Sequence, residues 1–244
     1  MKKKTSSASD RLKVCLSKCM RIDIVTGLPG IIKSPLNESI IKRARESGSV
    51  IIETHDLRDY THDRHKTIDD TQYGGGAGMV LKPEPLFECI ETLQKQREYD
   101  EVIYLTPDGN RFDQSMATEL SLKENLILLC GHYKGADERV REALVTKEIS
   151  IGDYVLTGGE LAAAVIVDAV VRLLPGVLHN STSAMTDTFQ DNLLGAPVYT
   201  RPPEYRGMKV PDVLLTGNHK AIEEWRQEQR MKRTKEKRPD LLNE

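Results

Sequence analysis

The chain has 244 residues, enough for one large domain or two modest ones, each with its own core. With 39% hydrophobic and 30% charged residues and a net charge of −2, any nucleic-acid partner must be met by a local basic patch. Cys15, Cys19, Cys89 and Cys130 form no CxxC pair and no matching histidine cluster, which argues against a zinc site and a disulfide framework and fits a reducing cytosol.

Residues 1–19 are basic but lack a continuous apolar run, so they read as a tail and not as a signal peptide, with the folded domain starting at Met20. "RIDIVTG" predicts a first strand. Ser34 as N-cap, Pro35 at the first helical position and Gly48 just past the end predict one helix over "PLNESIIKRARES". "VIIETHDL" predicts a second strand. In the next stretch, Thr61 to Met79, the spacing of His62, Asp63 and His65 matches no metal motif, so no metal ligand is assigned. The glycines of "YGGGAGM" predict a loop that contacts substrate.

"PEPLFECIETLQKQ" and "DQSMATELSL" carry apolar residues at helical spacing, and "VIYLTP" and "LILLCG" predict a third and fourth strand. Alternating strands and helices imply an α/β domain with a mostly parallel sheet. The strands are apolar without clean alternation, which suits a sheet covered on both faces. "LAAAVIVDAVVRLLPGVL" is shorter than the roughly 20 residues of a membrane span and is interrupted by Asp168 and Arg172, so it reads as a buried helix and no membrane is expected as partner.

Beyond Gly176 the chain turns polar, and a linker over 179–186 is expected between a domain of residues 20–178 and a small helical domain of residues 187–244. The final helical pattern is strongly basic. Between Arg226 and Arg238 seven Lys or Arg face Glu228 and Glu236, a net of +5 that suits a phosphate backbone.

Ligands of open α/β sheets bind at the carboxyl ends of strands. Three Gly-containing loops are candidates there: Tyr104 to Gly109, Cys130 to Val140, and Ile151 to Glu160. The third suggests a phosphate cradle, but it holds Asp153 and Glu160 and no Lys or Arg, and neither nucleotide-binding glycine motif is present. A flat heterocycle carrying positive charge fits better. S-adenosylmethionine, with a sulfonium and an ammonium against one carboxylate, has that character.

"YGGGAGM", "YLTPDG", "CGHYKG", "DERV", "SIGDYVLTGGE", "RLLPGVL", "YTRP", "VLLTGNH" and "KRTKEKRPDLL" occur in the order found in the bacterial tRNA (guanine-N1)-methyltransferases of the TrmD family. The chain resembles that family from Met20 to its end. The resemblance implies a SPOUT-type α/β domain with a C-terminal trefoil knot, a linker, and a small helical domain that binds tRNA. It implies a cytoplasmic homodimer with the active site at the subunit interface. It also implies methyl transfer from S-adenosylmethionine to N1 of the guanosine immediately 3′ of the anticodon, position 37 of tRNA, and a response to magnesium with no ligand assigned.

Carried over by position, the donor would be held by Tyr104, Leu105, Thr106, Pro107 and Gly109 on the first loop, and by Gly131, Tyr133 and Gly135 on the second. On the third it would meet Ile151, Gly152, Tyr154, Leu156, Gly158 and Gly159. Asp187 matches the general base and Arg172 the arginine at the guanine. Guanine N1 carries a proton at neutral pH, so a base must share it as the methyl arrives, and a guanidinium near O6 steadies the developing enolate charge. Two positions depart from the family pattern: Lys134 stands where many members carry an acid, and Ala162 where a proline is common, which would loosen that loop. The alternatives are a ribose 2′-hydroxyl methylase of the same knotted class and an RNA-binding module without catalysis.

Overall fold

The computed structural model describes residues 19–178 and 191–242. The chain divides into two compact units, Met1–His179 and Asn180–Glu244. The first opens with β1 (Met20–Thr26), α1 (Pro29–Leu36), α2 (Ser39–Glu46) and β2 (Val50–Asp56). A hairpin of β3 (Asp69–Thr71) and β4 (Met79–Leu81) precedes α3 (Pro83–Gln96). Then come β5 (Glu101–Arg111), α4 (Gln114–Ser121), β6 (Asn125–Cys130), α5 (Glu138–Leu144), β7 (Lys147–Ser150) and α6 (Glu160–Val171).

Five strands form one parallel sheet in the order β2-β1-β6-β5-β7. Its two faces explain the continuous apolar runs. Leu126, Leu128 and Cys130 of β6 pack with Ile22 and Ile24 of β1 and Ile166 and Val170 of α6. Ile127 and Leu129 point the other way, onto Leu86 and Ile90 of α3 and Val140 of α5. A strand buried on both faces has no polar side to show.

The structure corrects three local expectations. The single helix expected after Ser34 is two helices, because Pro29 takes the first helical position and Pro35 falls inside the last turn of α1. Ser39, at φ +51°, then turns the chain into α2, and Gly48 at φ +73° follows that helix as expected. The "TPDGN" stretch is no free loop but an irregularity within β5, where Leu105 and Asn110 both pair with Ile149 of β7. β3, β4, α5 and β7 escape the periodicity because each is short.

A charged residue sits in the middle of the sheet. Asp23 of β1 has a fully buried side chain, which accepts hydrogen bonds from Arg21 Nε (2.7 Å), Arg21 Nη2 (2.8 Å) and Tyr99 Oη (2.7 Å) and pairs with His55 Nε2 at 2.7 Å. Burial opposes its ionisation, but the bonds from His55, Arg21 and Tyr99 outweigh burial and hold the carboxyl at about 2. A folded value below the ordinary 3.8 means that the fold favours the charged form. That contribution, on the order of 2 kcal/mol, is whole above the unfolded value and is lost as pH falls through the folded one. Urea unfolding of the parent and of Asp23→Asn is therefore expected to show a stability gap that closes between about pH 4 and pH 2. A gap that stays constant through that window would contradict this role.

In the second unit a hairpin of β8 (Glu204–Tyr205) and β9 (Met208–Lys209) precedes α7 (His219–Lys237). Asn218 caps α7 by accepting from the Ala221 amide at 3.3 Å. Thr234, fully buried, accepts from the Leu194 amide (2.9 Å) and donates to the Arg230 carbonyl (2.8 Å), which ties the segment before the hairpin to the helix.

Candidate active site

At the carboxyl ends of β5, β6 and β7 three loops converge on a cavity of about 350 Å³. Every donor-site residue expected from the sequence lines it except Gly109. Gly109 lies in the β5 irregularity, where an added Cβ would stand 2.4 Å from the Ile149 backbone nitrogen, so that glycine serves the approach of β5 to β7.

The walls are held by backbone. The Gly159 amide donates to the Gly131 carbonyl at 2.7 Å, and a Cβ on Gly159 would meet Cys130 Cα at 2.8 Å. The turn after β6 is closed by the Gly135 amide donating to the His132 carbonyl at 2.9 Å, with Tyr133 at φ +59° and Gly135 at φ +124°. It is docked on β4 through the Lys134 amide, which donates to the Met79 carbonyl at 3.0 Å. Tyr104 supports that turn from below: its hydroxyl accepts from the Ala136 amide at 3.0 Å, and the Arg141 guanidinium lies 5.6 Å from its ring centre. Burial pushes the Tyr104 phenol up, against the Ala136 bond and the Arg141 charge, so it serves as a neutral support. In the third loop the Ser150 hydroxyl donates to the Gly152 carbonyl at 3.0 Å, shaping a glycine at φ +152°.

The charge of the cavity differs from the one read in the sequence. Glu160 opens α6 but is buried, and Thr26 Oγ1 donates to its Oε1 at 2.6 Å, while Asp153 is exposed and does not line the cavity. The charged lining residues are Asp108, Lys134 and Arg141. Asp108 and Lys134 lie in quoted motifs, while Arg141 directly follows "DERV" and carries no signature of its own. Arg141 is held by Glu148 through two bonds of 2.9 Å. Ala162 also lines the cavity, and it lies within the first turn of α6, so alanine there extends a helix and does not loosen a loop.

A divalent ion does not fit this lining. Among the described residues no group of three or more His, Cys, Asp or Glu converges, and the cavity mouth carries the Lys134 ammonium. The donor fits better: bare backbone and apolar walls for a heterocycle, with glycines where any Cβ would intrude.

Of the two expected catalytic residues, Arg172 does not line this cavity. Arg172 follows the last residue of α6, whereas the cavity meets Ala162 in the first turn of that helix, which places them about 15 Å apart along it. Asp187 lies outside the described residues.

Residues 20–244 match the family model described as tRNA (Guanine-1)-methyltransferase TrmD. The chain belongs to the TrmD family. Among curated relatives, the tRNA (guanine-N(1)-)-methyltransferases of Christiangramia forsetii and Bacteroides fragilis are 61% and 60% identical to it, each over 92% of this chain and all of theirs. That of Cytophaga hutchinsonii is 60% identical over 91% of this chain and 94% of its own. In this TrmD-family chain the family resemblance of the sequence and the three-loop cavity fall on the same segments.

Proposed function

We propose that this chain transfers a methyl group from S-adenosylmethionine to N1 of the guanosine immediately 3′ of the anticodon in tRNA. The observation that carries this reading is the convergence of three Gly-rich loops on one cavity, in a chain of the TrmD family. When bound, the donor supplies an electrophilic methyl on a sulfonium. The backbone of Gly131, Gly135, Gly152, Gly158 and Gly159 gives the adenine close, uncharged walls. Asp187 takes the N1 proton of the guanine, and Arg172 neutralises the charge that then builds on O6.

This assignment needs two copies of the chain. Arg172 and the cavity lie at opposite ends of α6, so one protomer does not bring its own pair together along that helix. Leu161 and Val165, one turn apart on α6, are about half exposed, and Val155 beside the cavity is 85% exposed. An apolar surface of that kind supports a partner protomer seated across the cavity. A knotted path is supported by the topology as well. β7 is an edge strand beside β5, yet the chain returns to the end of β6, where Gly158 bridges His132 and the Gly159 amide donates to the Gly131 carbonyl, and α6 packs against α1, α4 and β6.

The basic face of α7 is assigned to the tRNA backbone. Lys232, Lys235 and Lys237 are exposed, while Arg230 pairs with Asp191 and Arg226 with Glu223. A cytoplasmic site of action is supported by the unpaired thiols of Cys19, Cys89 and Cys130. No described helix is long and apolar enough to cross a membrane. The reading is tested with labelled donor and two tRNA transcripts, one carrying guanosine and the other adenosine at the target position. Label is expected in the first alone, and equal label in both would overturn it.

A further inference from the structure

The lip of the cavity carries a cation that the reaction outlined above does not use. Lys134 sits on the turn that docks on β4, fixed by its own amide on Met79 and by the Gly135 carbonyl, which accepts from the Leu81 amide at 2.9 Å. Its aliphatic stem lies across Gly78, where an added Cβ would stand 2.8 Å from Lys134 Cγ. Gly78, at φ +100°, thus leaves the room in which the lysine lies. Arg141 is taken up by Glu148, but the Lys134 ammonium makes no hydrogen bond or ion pair among the described residues. Lys134 is exposed, and so is the glycine loop of residues 74–78 beneath it, so this charge faces whatever enters from solvent.

We infer that Lys134 contacts a phosphate of the RNA substrate at the lip of the cavity, and that methyl transfer by this chain therefore needs no divalent cation there. The inference rests on the reading of the cavity as the donor site. An ammonium on a fixed turn is suited to a phosphate oxygen, and it repels a divalent ion from the same place. Phosphate is favoured over the donor's carboxylate because the stem of Lys134 lies along Gly78, in the exposed loop of residues 74–78.

The test compares parent, Lys134→Ala and Lys134→Arg. Affinity for a tRNA transcript annealed with spermidine is measured across a salt series, and donor affinity by calorimetry. In Lys134→Ala tRNA binding should weaken, and the slope of log affinity on log salt should shrink by about 0.7 to 0.9, the loss of one phosphate contact. Lys134→Arg should keep the parent slope, tRNA affinity should fall more than donor affinity in Lys134→Ala, and the parent should keep most of its transfer rate with spermidine in place of magnesium. An unchanged slope, a selective loss of donor affinity in Lys134→Ala, or a parent that is inactive without a divalent ion would each overturn the inference. A parent that binds no donor at all would instead remove the donor-site reading beneath it.

Discussion

Gly159→Ala is expected to lose donor binding and, with it, methyl transfer. Its Cβ would stand 2.8 Å from Cys130 Cα and 2.9 Å from the Gly131 nitrogen, and both are backbone atoms of a buried strand and its loop. Neither can rotate aside. Gly159 has φ −78° and ψ −7°, ordinary helical values, so the position requires empty space and not an unusual backbone. Relief must come from parting α6 from the end of β6, which breaks the 2.7 Å bond between the Gly159 amide and the Gly131 carbonyl. Overpacking of this kind costs about 1–3 kcal/mol, and because the strain falls on two walls of the cavity, donor affinity should drop by at least about tenfold. Gly30→Ala is the matched control, since nothing lies within 4 Å of its added Cβ. Calorimetry with S-adenosylmethionine decides the matter, and parent-like affinity in Gly159→Ala would contradict the assignment of these walls.

Arg172→Ala should bind the donor as the parent does and lose about 100-fold or more of its transfer rate, the usual cost of removing a charge stabiliser. Asp187→Asn should behave alike, because an amide does not take the N1 proton. The separation along α6 makes a stronger prediction. If the cavity of one protomer works with Arg172 of the other, mixing inactive Arg172→Ala and Gly159→Ala chains should restore activity. Half of the dimers formed at random are mixed, and each holds one intact site of two, so recovery should approach about a quarter of the parent rate. Activity no higher than that of the two variants apart would place Arg172 and the cavity in one chain or remove Arg172 from the reaction.

Much of this site was legible in the sequence because its signals are local. Glycines next to apolar strands marked the three loops, and the helix after Gly159 declared itself by composition. What escaped was what depends on distant partners. Nothing near Asp23 in sequence announces that His55 and Tyr99 will converge on it, and a carboxylate inside a strand reads as a surface residue. In sequence Glu160 and Asp153 read as acids facing a ligand, yet Thr26, at the end of β1, holds Glu160 in the interior, and Asp153 is exposed outside the cavity lining. The Gly109 turn became part of β5 because β7, too short to show a period, pairs alongside it. Arg172 and the cavity share one helix in the sequence, and only the helix length reveals how far apart they stand.

The chemical identity of the product decides the function of this protein. After reaction with tRNA, the RNA is digested to nucleosides and separated by chromatography with mass detection, and a second portion is treated with alkali. Methylation at N1 gives 1-methylguanosine and leaves the neighbouring 2′-hydroxyl free, so alkali still cleaves the chain at that nucleotide. That is the result expected for this protein. A methylated nucleotide whose phosphodiester resists alkali would place the methyl on the ribose and contradict the account, as would tRNA that gains no methyl group.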